Sequence, residues 1–253
     1  MRRFFVNEEL VAGKKYSITG RDAAHIGKVL RMQPGEAILL VDRQGKAWQS
    51  RLAALSPQRV DVVIEVPWEA LAEPPLKVIL VQGLPKGDKF DLIIEKSAEL
   101  GVSVILPVRT RRTVVNLEAA KAQKRLERWQ RIAEEAAKQS GRTTVPRVEP
   151  LGDFAQAVRD LPPHGLALIP WEGEKQRSLK EVITQSKGPN NPIIVFIGPE
   201  GGWDEEEVVL AQKRGAIPVS LGPRILRTET AGLAVLTILM YQLGDLGGTI
   251  IGS

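Results

Sequence analysis

IIVFIGPEGGWDEEE, residues 193–207, runs from five apolar residues into a turn with three glycines and then into four consecutive acids. An apolar run of this length before a glycine turn and a polar capped segment marks a buried strand feeding a helix. Such turns often cradle phosphate, because free backbone N–H groups and the positive end of the helix dipole meet there. Here Asp204 can cap those N–H groups, and Glu207, three residues on, completes a capping box. Four carboxylates at the helix start repel phosphate, and no Lys-Ser/Thr pair follows the glycines as a P-loop requires. The glycines instead allow close backbone approach to a neutral or cationic ligand. A tight turn without any ligand is the alternative.

The same strand–helix alternation extends on both sides. Strands fit at 78–82, 103–108, 145–148, 166–169, 193–197 and 217–221. Helices fit between them at 90–100, 117–140, 154–161, 179–186 and 205–214. The pattern predicts an α/β domain with a largely parallel sheet over residues 76–247. Residues 1–70 read differently: strands at 37–41, 47–55 and 59–66 and a short helix at 22–31 predict a small β-barrel-type domain. PWEALAEPP, residues 67–75, separates the two with three prolines.

The chain has no cysteine and two histidines, which excludes a disulfide framework and leaves no basis for a thiolate or multi-histidine metal site. MRRFFVNEEL is too short an apolar run for a signal peptide. The most apolar stretch, 231–243, falls well below the ~20 residues of a membrane span and reads as a buried helix. A cytoplasmic location is expected. Residues 109–147 hold eleven Lys/Arg against four Glu, whereas the rest of the chain is slightly acidic. The whole basic excess therefore sits in one segment, as a polyanion-binding surface would require.

Ligands of an open parallel sheet gather at loops leaving the carboxyl ends of its strands. Three such loops are chemically unusual: LIPWEGE (168–174), GPEGG (198–202) and LGPRILRTETAG (221–232). In the third, Thr228 or Thr230 suits an N-cap and Glu229 a first helical turn. That accounts for Thr and Glu but not for Arg224 and Arg227 beside an apolar helix. The helix itself is apolar nearly all round, so it needs cover on several sides, and a homodimer is expected.

GPEGG together with LGPRILRTETA at this spacing resembles the SPOUT class of methyltransferases. HIGKVLRMQPGE (25–36), EKSAELGV (95–102) and RWQRIAEEAAKQSGRTTVP (128–146) extend the likeness over the whole chain. More narrowly, the sequence is similar to the RsmE family of 16S ribosomal RNA (uracil-N3)-methyltransferases. The resemblance implies a trefoil-knotted α/β domain, an N-terminal PUA-like RNA-binding barrel and a homodimer. It implies S-adenosylmethionine as methyl donor, S-adenosylhomocysteine as product, and a uridine N3 in the decoding region of small-subunit ribosomal RNA as target. A sulfonium cation without phosphate also suits a glycine turn beside acids. A Rossmann methyltransferase is disfavoured, because QGLPKGDKF after the strand at 78–82 lacks G-x-G-x-x-G.

On that reading the donor lies on Leu168, Ile197, Gly198, Pro199, Gly202, Ser220, Leu221, Gly222, Leu226, Thr228 and Ala231. Arg224 or Arg227 stabilises negative charge developing on the uracil, and Glu229 is a base or orienting carboxylate with helix capping as its alternative role. RNA phosphates would meet Arg2, Arg3, Lys28, Arg31, Arg109, Arg111, Arg112 and Arg142. His25 reads as a packed or surface helix residue and Trp129 as core. The competing reading is a non-catalytic RNA-binding ribosome assembly factor without a methyl donor; a nucleotide-binding enzyme is disfavoured by the acidic helix start.

Overall fold

The computed structural model describes residues 1–69, 73–113, 119–160, 165–186 and 191–248, without the side chains of 119 and 120. The chain divides into two compact units, residues 1–73 with 137–144, and residues 74–136 with 145–253.

The first unit is a five-stranded sheet. Its strands are β1 (Arg3–Phe5), β2 (Lys15–Thr19), β3 (Ala37–Val41), β4 (Ala47–Ser56) and β5 (Arg59–Trp68), in the order β1-β3-β4-β5-β2. β1 and β3 are parallel and the other pairs antiparallel. Val60, Val62 and Ile64 alternate along β5 and are fully or almost fully buried, packing with Ile38, Leu40 and Leu52. The helix expected at 22–31 is shorter. α1 (Gly20–Ala24) passes directly into a wider π-helical turn over His25–Val29, and Arg31 closes it with φ +51°. His25 packs edge-on to Phe4, as a packed helix residue.

Residues 137–144 join this unit through specific contacts. Lys138 pairs with Asp22 at 3.0 Å. The Arg3 guanidinium donates to the Arg142 carbonyl at 2.7 Å, and the Arg142 side chain pairs with Glu73 at 2.7 Å.

The second unit is all parallel. Its strands are β6 (Val78–Gly83), β7 (Val104–Arg109), β8 (Arg147–Val148), β9 (Gly152–Asp153), β10 (Leu166–Pro170), β11 (Ile193–Ile197) and β12 (Ile217–Val219). Their order is β12-β10-β11-β6-β7-β8, with β9 also on β7. Between them run α2 (Lys89–Glu99), α3 (Ala119–Ser140), α4 (Phe154–Arg159), α5 (Leu179–Gln185), α6 (Glu205–Lys213) and, last, α7 (Thr228–Leu243). The last turn of α3 belongs to the first unit. The expected helices at 117–140 and 154–161 begin and end, respectively, outside the described residues.

Every residue of the opening apolar run is buried, because β11 is central and covered on both faces. Ile193, Val195 and Ile197 join the core beneath α2 and α7; Ile194 and Phe196 point oppositely, toward Phe154, Trp203 and Val208. Trp129 is buried in the first of these cores, edge-on to Phe90 at 4.6 Å.

After β11 the chain crosses to the far side of β10 to form β12, then returns as α7 to pack on β6, β11 and α2. This crossing gathers the loops after β10, β11 and β12 at one end of the sheet. α7 buries Val235, Leu236, Leu239 and Met240 but leaves Ile238 42% and Tyr241 69% exposed. The helix expected to be apolar and covered all round thus keeps one uncovered stripe within a single chain. No helix among the described residues is long and apolar enough to cross a membrane.

Candidate functional site

GPEGG is held at almost every residue. Pro199 lies against Gly83 at the end of β6, so closely that a Cβ on Gly83 would stand 2.6 Å from the proline Cδ. The Glu200 carboxylate reaches the start of α2, accepting from the Lys86 backbone N–H at 3.1 Å and from the Lys89 ammonium at 2.9 Å. The Arg112 guanidinium donates to the Gly201 carbonyl at 2.8 Å. Gly202 has φ +68°, and a Cβ there would sit 2.9 Å from Glu172 Oε1. The positive φ favours glycine at 202, and a side chain there would also push the Glu172 carboxylate aside.

The acids that follow form the expected cap. The Asp204 carboxylate accepts from the Glu206 N–H at 3.2 Å, and Glu207 accepts the Asp204 N–H at 3.1 Å. Buried Glu207 also accepts from the Arg111 N–H at 2.9 Å. Asp204 thus takes up the Glu206 and Glu207 N–H groups, and four carboxylates at this helix start oppose a phosphate.

The third loop meets the second through Thr228. Its hydroxyl donates to the Gly198 carbonyl at 2.6 Å and accepts from the buried Gln82 amide at 2.9 Å. The expected cap by Thr228 or Thr230 is replaced: Arg227 is the N-cap residue of α7, without a side-chain cap bond, and Thr228 turns its hydroxyl to β11 and β6. A hydrogen bond across the sheet end has displaced a local one.

Two adjoining hollows of about 510 and 520 Å³ lie between these loops. They share Pro170, Glu172, Ile225, Leu226 and Ala231. Ser220, Leu221, Gly222 and Arg224 line the first; Ile197, Gly198, Pro199, Gly202, Arg227 and Thr228 line the second. Leu168 is fully buried inside β10 and lines neither; Pro170, two residues on, does. Larger hollows, of about 740 and 940 Å³, lie beside α5 and at the start of α6, away from the glycine turn.

Arg224 and Arg227 are exposed, and among the described residues neither guanidinium has a hydrogen-bond or ion-pair partner. Ile225 between them is 89% exposed. Glu229, by contrast, faces Lys89 at 3.6 Å, and its Oε2 is buried without a hydrogen-bond donor. Lys89 bridges Glu200 and Glu229; the Glu200 hydrogen bond foremost, then the Glu229 charge, raise its pKa from the ordinary lysine value. Burial opposes ionisation of Glu200, but bonds from Lys89 and the backbone outweigh it and hold its carboxyl below the usual range.

The arginines read as phosphate contacts divide into two sets. Arg2, Lys28 and Arg31 are exposed. Arg109 stands 3.8 Å from Asp153. Arg111 pairs with Asp204 at 3.2 Å and with Glu206 at 2.5 Å, while Arg112 holds the glycine turn. Arg3 and Arg142 are engaged inside the first unit, and burial lowers the Arg3 pKa despite the nearby Glu73 charge. No group of metal-ligating side chains occurs among the described residues.

Sequence reading missed Gln82, Lys89, Glu172 and the turn-holding role of Arg112. A polar residue closing the apolar run VILVQ was the one local sign of Gln82.

Residues 72–240 match the family model described as RNA methyltransferase domain, and residues 18–65 that described as RNA methyltransferase PUA domain. The chain is 35% identical to Ribosomal RNA small subunit methyltransferase E of Bacillus subtilis, over 98% of this chain and 99% of that one. It is 36% identical to the protein of the same name from Synechocystis, over 92% and 75%. The crystal structure of a Ribosomal RNA small subunit methyltransferase E from Neisseria gonorrhoeae, bound to S-adenosyl methionine, superposes with a TM-score of 0.88 at 37% identity, covering 97% and 99%. The architecture is accordingly a SPOUT-type parallel-sheet methyltransferase domain with a small PUA-like β domain. The chain therefore belongs to the Ribosomal RNA small subunit methyltransferase E family of RNA methyltransferases.

Proposed function

We propose that this chain methylates N3 of a uridine in the decoding region of small-subunit (16S) ribosomal RNA, using S-adenosylmethionine and releasing S-adenosylhomocysteine. The observation that carries the reading is the pair of joined hollows, walled by backbone and apolar groups, with two unpartnered arginines at their rim. The walls suit this donor: they offer close-approach backbone at Gly198 and Gly202 and a carboxylate at Glu172.

The bound donor supplies an electrophilic methyl group. The work left to the chain is to orient the base, to accept the N3 proton and to stabilise charge on the uracil oxygens. Arg224 and Arg227, free of internal partners, are the charge-stabilising groups. Glu229 is the base or orienting carboxylate; its buried Oε2 accepts no hydrogen bond, which supports the first role, and the same oxygen faces the Lys89 ammonium at 3.6 Å, which supports the second. Kinetics of Glu229→Gln across pH separate the two: unchanged transfer by a folded variant rules out the base.

Residues 1–70 serve as a PUA-like RNA-binding domain and 76–247 as the methyltransferase domain. Arg2, Lys28 and Arg31 are the exposed phosphate contacts of the first of these. The working unit is a homodimer in the cytoplasm; the uncovered Ile238 and Tyr241 stripe supports association, and sedimentation at micromolar concentration checks it. Primer extension on small-subunit RNA from a deletion strain tests the whole reading. Enzyme plus S-adenosylmethionine should create one new stop, because an N3 methyl blocks Watson–Crick pairing. Donor binding without that stop would leave a methyltransferase of another target; no donor binding would favour the non-catalytic assembly factor.

A further inference from the structure

Two carboxylates line the paired hollows, Glu172 and Glu200. Glu200 is committed to Lys86 and Lys89. The acids nearby are committed as well. Glu174 accepts from the Gln176 and Arg177 N–H groups at 2.7 and 3.0 Å. Glu181 caps α5, and Asp204 and Glu207 cap α6. Glu172 alone among these has no hydrogen-bond or ion-pair partner among the described residues, although Lys175 and Arg224 line the same hollow.

Its position is as telling as its freedom. Glu172 is the one acid on the wall common to both hollows. Gly202 lets its carboxylate rest against the glycine turn; any side chain there would displace it. In a methyl donor of the sulfonium class, sulfur joins the nucleoside half to the amino-acid half. A donor spanning the two hollows would carry that sulfur near the wall they share.

Resting on the donor assigned above, we propose that Glu172 is the counter-charge to the sulfonium, and that it makes the site prefer the charged donor over its neutral product. When the methyl carbon bonds to N3, the C–S bonding pair stays on sulfur and the positive charge there disappears. The attraction to Glu172 disappears with it, and the product loses that hold. An exposed carboxylate is screened by water when the site is open; a ligand covering it lowers the local dielectric and strengthens the pair. Glu172 therefore acts on cofactor discrimination and product release, whereas Arg224, Arg227 and Glu229 act on the base.

Calorimetric titration of the full chain tests this with three probes: S-adenosylmethionine, S-adenosylhomocysteine, and sinefungin, whose ammonium-bearing carbon replaces the methylsulfonium. Glu172→Gln should weaken binding of both cationic probes roughly tenfold, about 1.4 kcal/mol, and leave S-adenosylhomocysteine within about twofold of wild type. Glu172→Asp, which keeps the charge, should recover most of the preference. Equal weakening of all three probes, or no weakening, overturns the proposal while leaving the donor assignment intact. A wild-type chain that binds none of the three overturns both. Thermal melting of each variant in parallel confirms the fold.

Discussion

The Thr228 hydroxyl donates to the Gly198 carbonyl at 2.6 Å, tying the first turn of α7 to the turn after β11. The same oxygen accepts from Gln82, so one hydroxyl closes three segments. Thr228→Val keeps the shape and removes both bonds, leaving the Gly198 carbonyl without that donor and the buried Gln82 amide with only its bond to the Gly83 carbonyl. The expected cost is roughly 1–3 kcal/mol, read by urea denaturation, with a raised KM for S-adenosylmethionine. A variant of wild-type stability and KM would contradict the role.

Gly202→Ala should be worse than its size suggests. The φ of +68° is strained for alanine, and the added methyl meets Glu172 Oε1 at 2.9 Å. Displacing that carboxylate predicts a loss of donor affinity exceeding the loss of stability, which is about 1 kcal/mol or somewhat more. Calorimetry and denaturation on the same sample compare the two.

The Glu200–Lys89 pair predicts a direction of pH dependence. Glu200 titrates below the usual 4.5 in the folded chain, so its stabilisation is present above that value and drains away as pH falls through the folded pKa. Lys89 titrates above the usual 10.5, so its share holds below that and is lost only at higher pH. Wild type should therefore exceed Glu200→Gln in stability at pH 7, and the gap should narrow in acid. Denaturation midpoints at pH 7 and pH 3.5 decide it; a gap that widens in acid rejects the assignment.

Arg112 and the Lys28/Arg31 pair should part company. Arg112 holds the Gly201 carbonyl, so Arg112→Ala should raise the KM for donor by roughly two- to tenfold. Lys28→Ala with Arg31→Ala should leave that KM alone and reduce the salt slope of RNA affinity by roughly 0.7–0.9 per lost contact. Filter binding over a salt series separates them.

What could be read in advance followed strong local patterns. The ends of β11 and α6 were legible because five apolar residues and a reciprocal cap are signals within a few residues of each other. β1, with three residues, and β9, with two, carry too little pattern to be seen, and the wide turn at 25–29 replaces helix without changing the apolar spacing. The three loops were found because they follow strands, yet their inner wiring was not. Thr228 looks like a cap from its neighbours alone; its partners are 30 and 146 residues away. Arg112 and Lys89 likewise find their partners 89 and 111 residues off. Spacing along the chain says nothing about such bonds until the sheet order is known.

The reach of 146 residues between Gln82 and Thr228 also bears on when activity can begin. A chain still under synthesis can form β6 and α2 early, but the cradle has no far wall until the segment after β12 has crossed the sheet and α7 has docked. Competence therefore waits for the last helix: a chain that stops just short of residue 228 has Glu172 and the glycine turn but lacks the hydroxyl that joins Gly198 to Gln82 and the α7 wall of the cradle.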